Sequence, residues 1–273
     1  MSKVIVFDLD ETLRSLETSV KNDNRVNVIL RPKILELLEK VKEVKKQGVD
    51  SVIFTTASLK SARMYFLELL PVEYQNVFTK VIAAENYIEP EQGTRENYLY
   101  RLGTNKMVTS LGYDEILFFD DNKAEYEFWK DVYDENLSKK YPVPNKSLTF
   151  VRLPFYPRKE LEMYSLKELA KDKNLKNNEL AKKINSLFDL TINEPGCKIM
   201  MEMIDDFVTR NHENGLTFVD GTKEYHEYYK QLSDECDEID DIIDADMGIA
   251  DKYRDYEEEY YCNLLENDFR DFF

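Results

Sequence analysis

Short apolar runs closed by polar or acidic residues recur through the first 155 residues. The stretches between them carry apolar residues at helical spacing. Val4–Phe7 is such a run, largely β-branched and ended by Asp8, and reads as a buried strand. Asp50–Thr55, Lys80–Ala84, Glu115–Phe119 and Leu148–Leu153 read the same way. Between them, Pro32–Lys46 places Ile34, Leu38 and Val41 on one helical face, with a proline suited to the first turn and Gly48 to the end. Helices are also expected over Leu59–Leu70, stopped by Pro71, over Thr104–Leu111 and over Ala124–Leu137. The polar segment Arg14–Asn27 has room for a hairpin turning near Asn22–Asn24. Strands alternating with helices across short links predict an α/β, Rossmann-like domain built on a parallel sheet.

Past Pro157 the pattern turns helical, with candidates at Leu166–Ala170, Asn178–Phe188 and Lys198–Thr209. Tyr225, Tyr229, Leu232, Cys236, Ile239 and Ile243 then recur at spacings 4, 3, 4, 3, 4, an a/d seam. Ile249, Tyr253, Tyr256 and Tyr260 continue it after Gly248, as two antiparallel helices would. The expected division is therefore an α/β domain over 1–157 and an all-α domain over 158–273, with the boundary between 157 and 195.

Composition sharpens that division. The 273 residues, 42% apolar, suffice for two cores. The net charge of −17 is lopsided: 195–273 hold 23 Asp+Glu against 7 Lys+Arg, while the rest is nearly neutral. The helical domain is the acidic one and should favour basic partners. Its run Asp234–Asp246 lacks the glycine and alternating oxygen ligands of a calcium loop and reads as a solvated helix face. The C-terminal tyrosines read as helix-packing residues.

No apolar run approaches the ~20 residues of a membrane span. The start, M-S-K-V-I-V, enters a strand without a signal-peptide pattern. Cys197, Cys236 and Cys262 form no C-x-x-C pair, which fits reduced thiols in the core or seam and a cytoplasmic protein. His212 and His226, both read as surface residues, leave no histidine for a zinc site or a serine triad in the first 200 residues.

Chemistry concentrates at strand ends. Asp8 and Asp10 follow the first strand and fall on the same side of it. Two carboxylates this close repel each other, and a hard divalent cation such as Mg²⁺ relieves the repulsion. Thr55 or Thr56 after the second strand, Lys106 ahead of the fourth, and Asp120 and Asp121 at its end all converge on one edge of a parallel sheet. Carboxylates, a hydroxyl and an ammonium around Mg²⁺ describe a phosphoryl-transfer site.

The order D-L-D-E-T (8–12), I-F-T (53–55), Lys106 and F-F-D-D (118–121) resembles the haloacid dehalogenase (HAD) superfamily over about residues 3–155. With L-R-P-x-x-x-x-L-L and T-A-S it is most similar to the capless magnesium-dependent phosphatases and to those acting on the RNA polymerase C-terminal domain. The resemblance implies Asp8 as the nucleophile that becomes aspartyl-phosphate and Asp10 as general acid, then base. It implies Thr12 as support for the loop, Thr55 as holder of the phosphoryl group and Lys106 as its neutraliser. Mg²⁺ would sit on Asp8, the Asp10 carbonyl and Asp121, with Asp120 adjacent. Thr56 remains an alternative to Thr55, and Arg101 to Lys106.

The short intervals between motifs leave no room for a large cap. The expected activity is phosphomonoester hydrolysis at an open site suited to a macromolecule. Two alternatives stand beside it: an interaction protein that keeps the HAD fold as a scaffold and docks a partner through acidic helices, and a polynucleotide-end phosphatase. Near-neutral charge in the catalytic part argues against tight nucleic-acid binding. An exposed seam would make a homodimer; a covered one would pack on a neighbouring helix.

Overall fold

The structure, a computed structural model, describes residues 2–18, 26–86, 101–102, 105–134, 147–153, 160–172, 178–210, 215–221 and 223–266. The expected turn at Asn22–Asn24, Thr104, His212 and the boundary residue Pro157 lie outside these residues, as does the last part of the helix expected to reach Leu137.

In chain order the first elements are β1 (Lys3–Phe7), β2 (Arg14–Thr18), β3 (Val26–Leu30), α1 (Ile34–Lys46), β4 (Val49–Phe54), α2 (Leu59–Met64) and β5 (Lys80–Ile82). Then come β6 (Arg101–Leu102), β7 (Asn105–Lys106), β8 (Glu115–Asp120), α3 (Lys123–Asp134) and β9 (Ser147–Arg152). The remainder is α4 (Glu160–Lys171), α5 (Asn178–Ile192), α6 (Gly196–Thr209), β10 (Gly215–Asp220), α7 (Lys223–Ala245) and α8 (Met247–Glu266).

Six strands form one parallel sheet in the order β10-β9-β8-β1-β4-β5. The expected α/β class with a Rossmann-like parallel sheet is what the chain forms. Because β1 lies between β4 and β8, the strand order reverses beside it, and its carboxyl end is the sheet's switch point, where such sheets bind ligands. Val4, Val6, Val52, Phe54, Ile116, Phe118, Leu148 and Phe150 alternate onto one sheet face and pack with Trp129 and Val132 of α3. α1 buries Ile34, Leu37, Leu38, Val41 and Val44, then stops at Gly48, whose φ of +85° suits a residue without Cβ.

The chain divides into two compact units, each assembled from separated segments. The first combines Met1–Ser15, Lys33–Phe155 and Pro195–Thr222; the second combines Leu16–Pro32, Tyr156–Glu194 and Lys223–Phe273. This differs from a single boundary between 157 and 195, and the part beyond 157 is not all-helical. The reason is β10. Its six residues, G-L-T-F-V-D, pair in parallel with β9 and complete the sheet. Phe218 stacks on Tyr126 of α3. α6, which leads into β10, packs on α1 and buries Cys197, Ile199, Met200, Ile204 and Phe207. Lys3 ties the end of α6 to the sheet: its ammonium donates to the Phe207 and Arg210 carbonyls, 2.8 and 3.2 Å away.

The second unit holds β2 from Leu16 onward, β3, and α4, α5, α7 and α8. The a/d seam is real and is covered from within. Leu232, Cys236, Ile239 and Ile243 of α7 are buried with Leu180, Ile184 and Leu187 of α5 and Leu166 and Leu169 of α4. The chain fills this seam with its own helices, so the seam offers no face to a second copy. The acids at 234, 237, 238, 240, 241, 244 and 246 stay exposed, as a solvated face would. His226 is exposed too. Arg31 just after the β2–β3 pair meets Glu194 Oε1 at 2.8 Å, both buried; Arg31 also donates to the Tyr225 hydroxyl, and the Tyr229 hydroxyl donates to the same Glu194 oxygen. No helix among the described residues is long and apolar enough to cross a membrane.

Candidate active site

Asp8 follows β1 and still donates its backbone N–H to the Phe119 carbonyl, at 2.9 Å, before the chain leaves the sheet. A tight loop follows. Leu13 and Arg14 both donate to the Leu9 carbonyl, and Glu11 adopts a φ of +61° to close the turn. Asp8 lies buried on the carboxyl edge, next to Asp120 at the end of β8 and Asp121 just beyond it. Carboxylate oxygens of these three residues lie within 4.8 Å of one another.

Lys106 enters this cluster from the side. Its ammonium is 2.7 Å from Asp8 Oδ1 and 2.7 Å from Asp120 Oδ2. Rather than opening a helix, Lys106 ends the two-residue strand β7, and only a single 3-10 turn, Val108–Leu111, follows. Arg101, the rival cation, is its backbone partner across the β6–β7 pair. Both Asp120 oxygens are engaged: Oδ2 holds Lys106 and Oδ1 accepts the Asn122 N–H at 2.7 Å.

One buried ammonium does not balance these carboxylates. Burial raises the Asp8 pKa to about 7, with Lys106 opposing and Asp120 reinforcing the shift. Burial and then the Asp8 charge raise Asp121 to about 6. Burial works against the Lys106 charge, but Asp8 and Asp120 outweigh it, and its pKa rises. The site is thus short of positive charge.

The other expected residues fall into place unevenly. Asp10 is not one of the three clustered carboxylates. The chain has left β1 by then, and Asp10 Oδ1 instead accepts from Arg14 Nε at 3.0 Å. Thr12 is fully buried, and its hydroxyl has no hydrogen-bond partner among the described residues. Thr55 is also fully buried, and its Oγ1 accepts the Ala57 N–H at 3.0 Å, whereas Thr56 is exposed.

Two residues at the site escaped the sequence reading. Glu125 of α3 is buried, and both its oxygens accept the Lys106 N–H. As an acid in a first helical turn, it passes in sequence for an ordinary partner of the helix dipole. Arg14 had a visible signal, a cation four residues after Asp10, but a lone arginine after a motif reads as solvated.

Three clustered carboxylates and a buried lysine thus lie at the switch point of a parallel sheet, an arrangement consistent with a HAD-like Rossmann fold. Residues 3–133 match the family of NLI interacting factor-like phosphatases, so the chain carries a domain of that family, a branch of the HAD superfamily related to the polymerase C-terminal-domain phosphatases. No curated protein matches the chain. The family match supports a phosphatase function of the HAD type.

Proposed function

We propose that the protein is a Mg²⁺-dependent phosphomonoesterase that works through an aspartyl-phosphate on Asp8. The observation that carries this reading is the Lys106 bridge between Asp8 and Asp120 beside Asp121, which leaves hard oxygens undercompensated in a buried crevice. The donor set fits Mg²⁺: all ligand atoms are oxygens, and opposite ligands of an octahedral Mg²⁺ stand about 4 Å apart. Asp8, Asp121 and the Asp10 carbonyl would hold the ion. Asp120, with both oxygens engaged, serves as the anchor of Lys106. Bound there, Mg²⁺ would neutralise charge on the phosphoryl oxygens.

The protein's own groups then supply the chemistry. An Asp8 oxygen attacks phosphorus, the bond to the leaving oxygen breaks, and Asp10 gives that oxygen its proton. Water next attacks the aspartyl-phosphate, Asp10 takes its proton, and inorganic phosphate leaves with the Asp8 carboxylate restored. Lys106 neutralises charge throughout, and the exposed Thr56, rather than the buried Thr55, holds a phosphoryl oxygen. Asp10 keeps 36% of its side chain exposed. That access suits a phosphate carried on a macromolecule.

The test is hydrolysis of an aryl phosphate with Mg²⁺ or chelator, repeated on Asp8→Asn. Turnover that survives either chelation or the substitution defeats the mechanism. Phosphopeptides, nucleotides and phosphorylated DNA ends, assayed side by side, separate a protein phosphatase from a polynucleotide-end phosphatase.

A further inference from the structure

We infer that Arg14 is a positioning residue for Asp10, fixing the carboxyl group that exchanges protons with the leaving group. The inference rests on the phosphatase reading above and deepens it.

Arg14 is 2% exposed, so its guanidinium reaches no substrate. All three of its nitrogens are engaged. Nε donates to Asp10 Oδ1 at 3.0 Å, Nη1 to the Ser61 carbonyl at 3.1 Å and Nη2 to Ser61 Oγ at 3.1 Å. Ser61 lies in α2, just after the Thr55–Ser58 loop. The guanidinium therefore cross-links the loop that carries Asp10 to the helix that follows Thr56. A planar fork with fixed donors holds a carboxylate in one orientation better than a flexible ammonium does.

The backbone is shaped for this contact. Glu11 at positive φ and the Glu11 N–H to Arg14 carbonyl bond fold the loop back, and Asp10 and Arg14 form a β-bridge. Asp10 Oδ2 accepts no hydrogen bond among the described residues, so one oxygen is clamped and the other is available for proton transfer. Stability gives little reason for the arrangement. A buried guanidinium is costly to desolvate, its partner is partly in water, and a leucine would fill the space without that cost. Proton transfer does give a reason, since it depends steeply on where the acid stands.

The test compares full-length wild type, Arg14→Met and Arg14→Lys by kcat/KM. The substrates are an aryl phosphate with an acidic leaving phenol and an alkyl phosphate with a poor leaving group. For kcat/KM the leaving group must depart, and only the poor one needs its proton in step. Arg14→Met is expected to lose about 10²-fold on the alkyl ester and about 10-fold or less on the aryl ester. Arg14→Lys should recover part of the difference. In an Asp10→Asn background, Arg14→Met should cost little more. Equal losses on both esters, or a full additional loss beside Asp10→Asn, overturn the inference. Should Arg14→Met fail to fold by circular dichroism, Arg14→Lys decides alone: an alkyl-selective loss supports positioning, and an unselective one refutes it. A wild type without Mg²⁺-dependent activity on either ester removes the phosphatase reading itself, a failure distinct from unselective Arg14 variants of an active enzyme.

Discussion

The backbone N–H of Lys106 is held by both oxygens of Glu125, at 3.1 and 3.0 Å, beneath the point where the Lys106 ammonium joins Asp8 and Asp120. The lysine is thus fixed at both ends. Glu125→Leu strands a buried N–H and should cost about 1–3 kcal/mol of stability, with activity falling as Lys106 loosens. Glu125→Gln keeps an acceptor and should cost less. Denaturant unfolding of the two variants checks the order.

The same residue predicts a pH slope. Burial first, and then the Asp120 charge, raise the Glu125 pKa from 4.5 to about 8, with Lys106 opposing and Asp8 reinforcing. A carboxyl raised on folding favours the fold when protonated. Its contribution is full below pH 4.5 and is lost as pH climbs through about 8. Metal-free protein should lose stability across that window, and Glu125→Gln should flatten the slope. Identical pH–stability curves for the two proteins would contradict this.

Removing Lys106 leaves Asp8 and Asp120 buried without their shared cation. Lys106→Met should destabilise metal-free protein by about 3–5 kcal/mol, the usual cost of breaking a buried pair, and abolish turnover. Mg²⁺ should restore part of that stability, which thermal scans with and without the ion would show.

Mg²⁺ at 100 times its Kd should stabilise wild type by about 2.7 kcal/mol. Asp8→Asn and Asp121→Asn should lose most of this gain. Asp10→Asn should keep it, since the contact proposed for Asp10 is its backbone carbonyl, yet turn over about 10²–10⁴ more slowly. Equal loss of metal stabilisation in Asp8→Asn and Asp10→Asn would contradict these roles.

A chain ending at Pro157 should aggregate or stay unfolded. It lacks α6 and β10, and so bares the helix face of α1 and the open edge of β9. Soluble, cooperatively folding 1–157 protein would show that these elements are dispensable.

Most of the sheet was legible because its strands are buried on both faces and read as unbroken apolar runs ended by acids, as Val4–Asp8 and Glu115–Asp120 do. β10 was not. Gly215–Asp220 is a half-buried edge strand after a long helical stretch, and its signal is no stronger than that of a loop. Asp8, Lys106, Asp120 and Asp121 could be nominated as a set because a parallel sheet carries strand ends to one edge. The partners of Asp10 and of the Lys106 backbone could not. Arg14 meets Asp10 through a turn that depends on the conformation of Glu11, and Glu125 reaches Lys106 across 19 residues. Periodicity carries neither relationship.

The chain passes between its two units at residues 15–16, 32–33, 155–156, 194–195 and 222–223. During synthesis neither unit is complete early: the first waits for Pro195–Thr222 and the second for Lys223–Phe273. The segment carrying Asp8 leaves the ribosome early, but the strand that completes its sheet is more than 200 residues behind it, and the helices that cover Leu180 and Ile184 come later still. Nascent chains must therefore keep large apolar surfaces waiting while the residues between these segments are made, and the protein's yield in a cell will depend on chaperones that shield them.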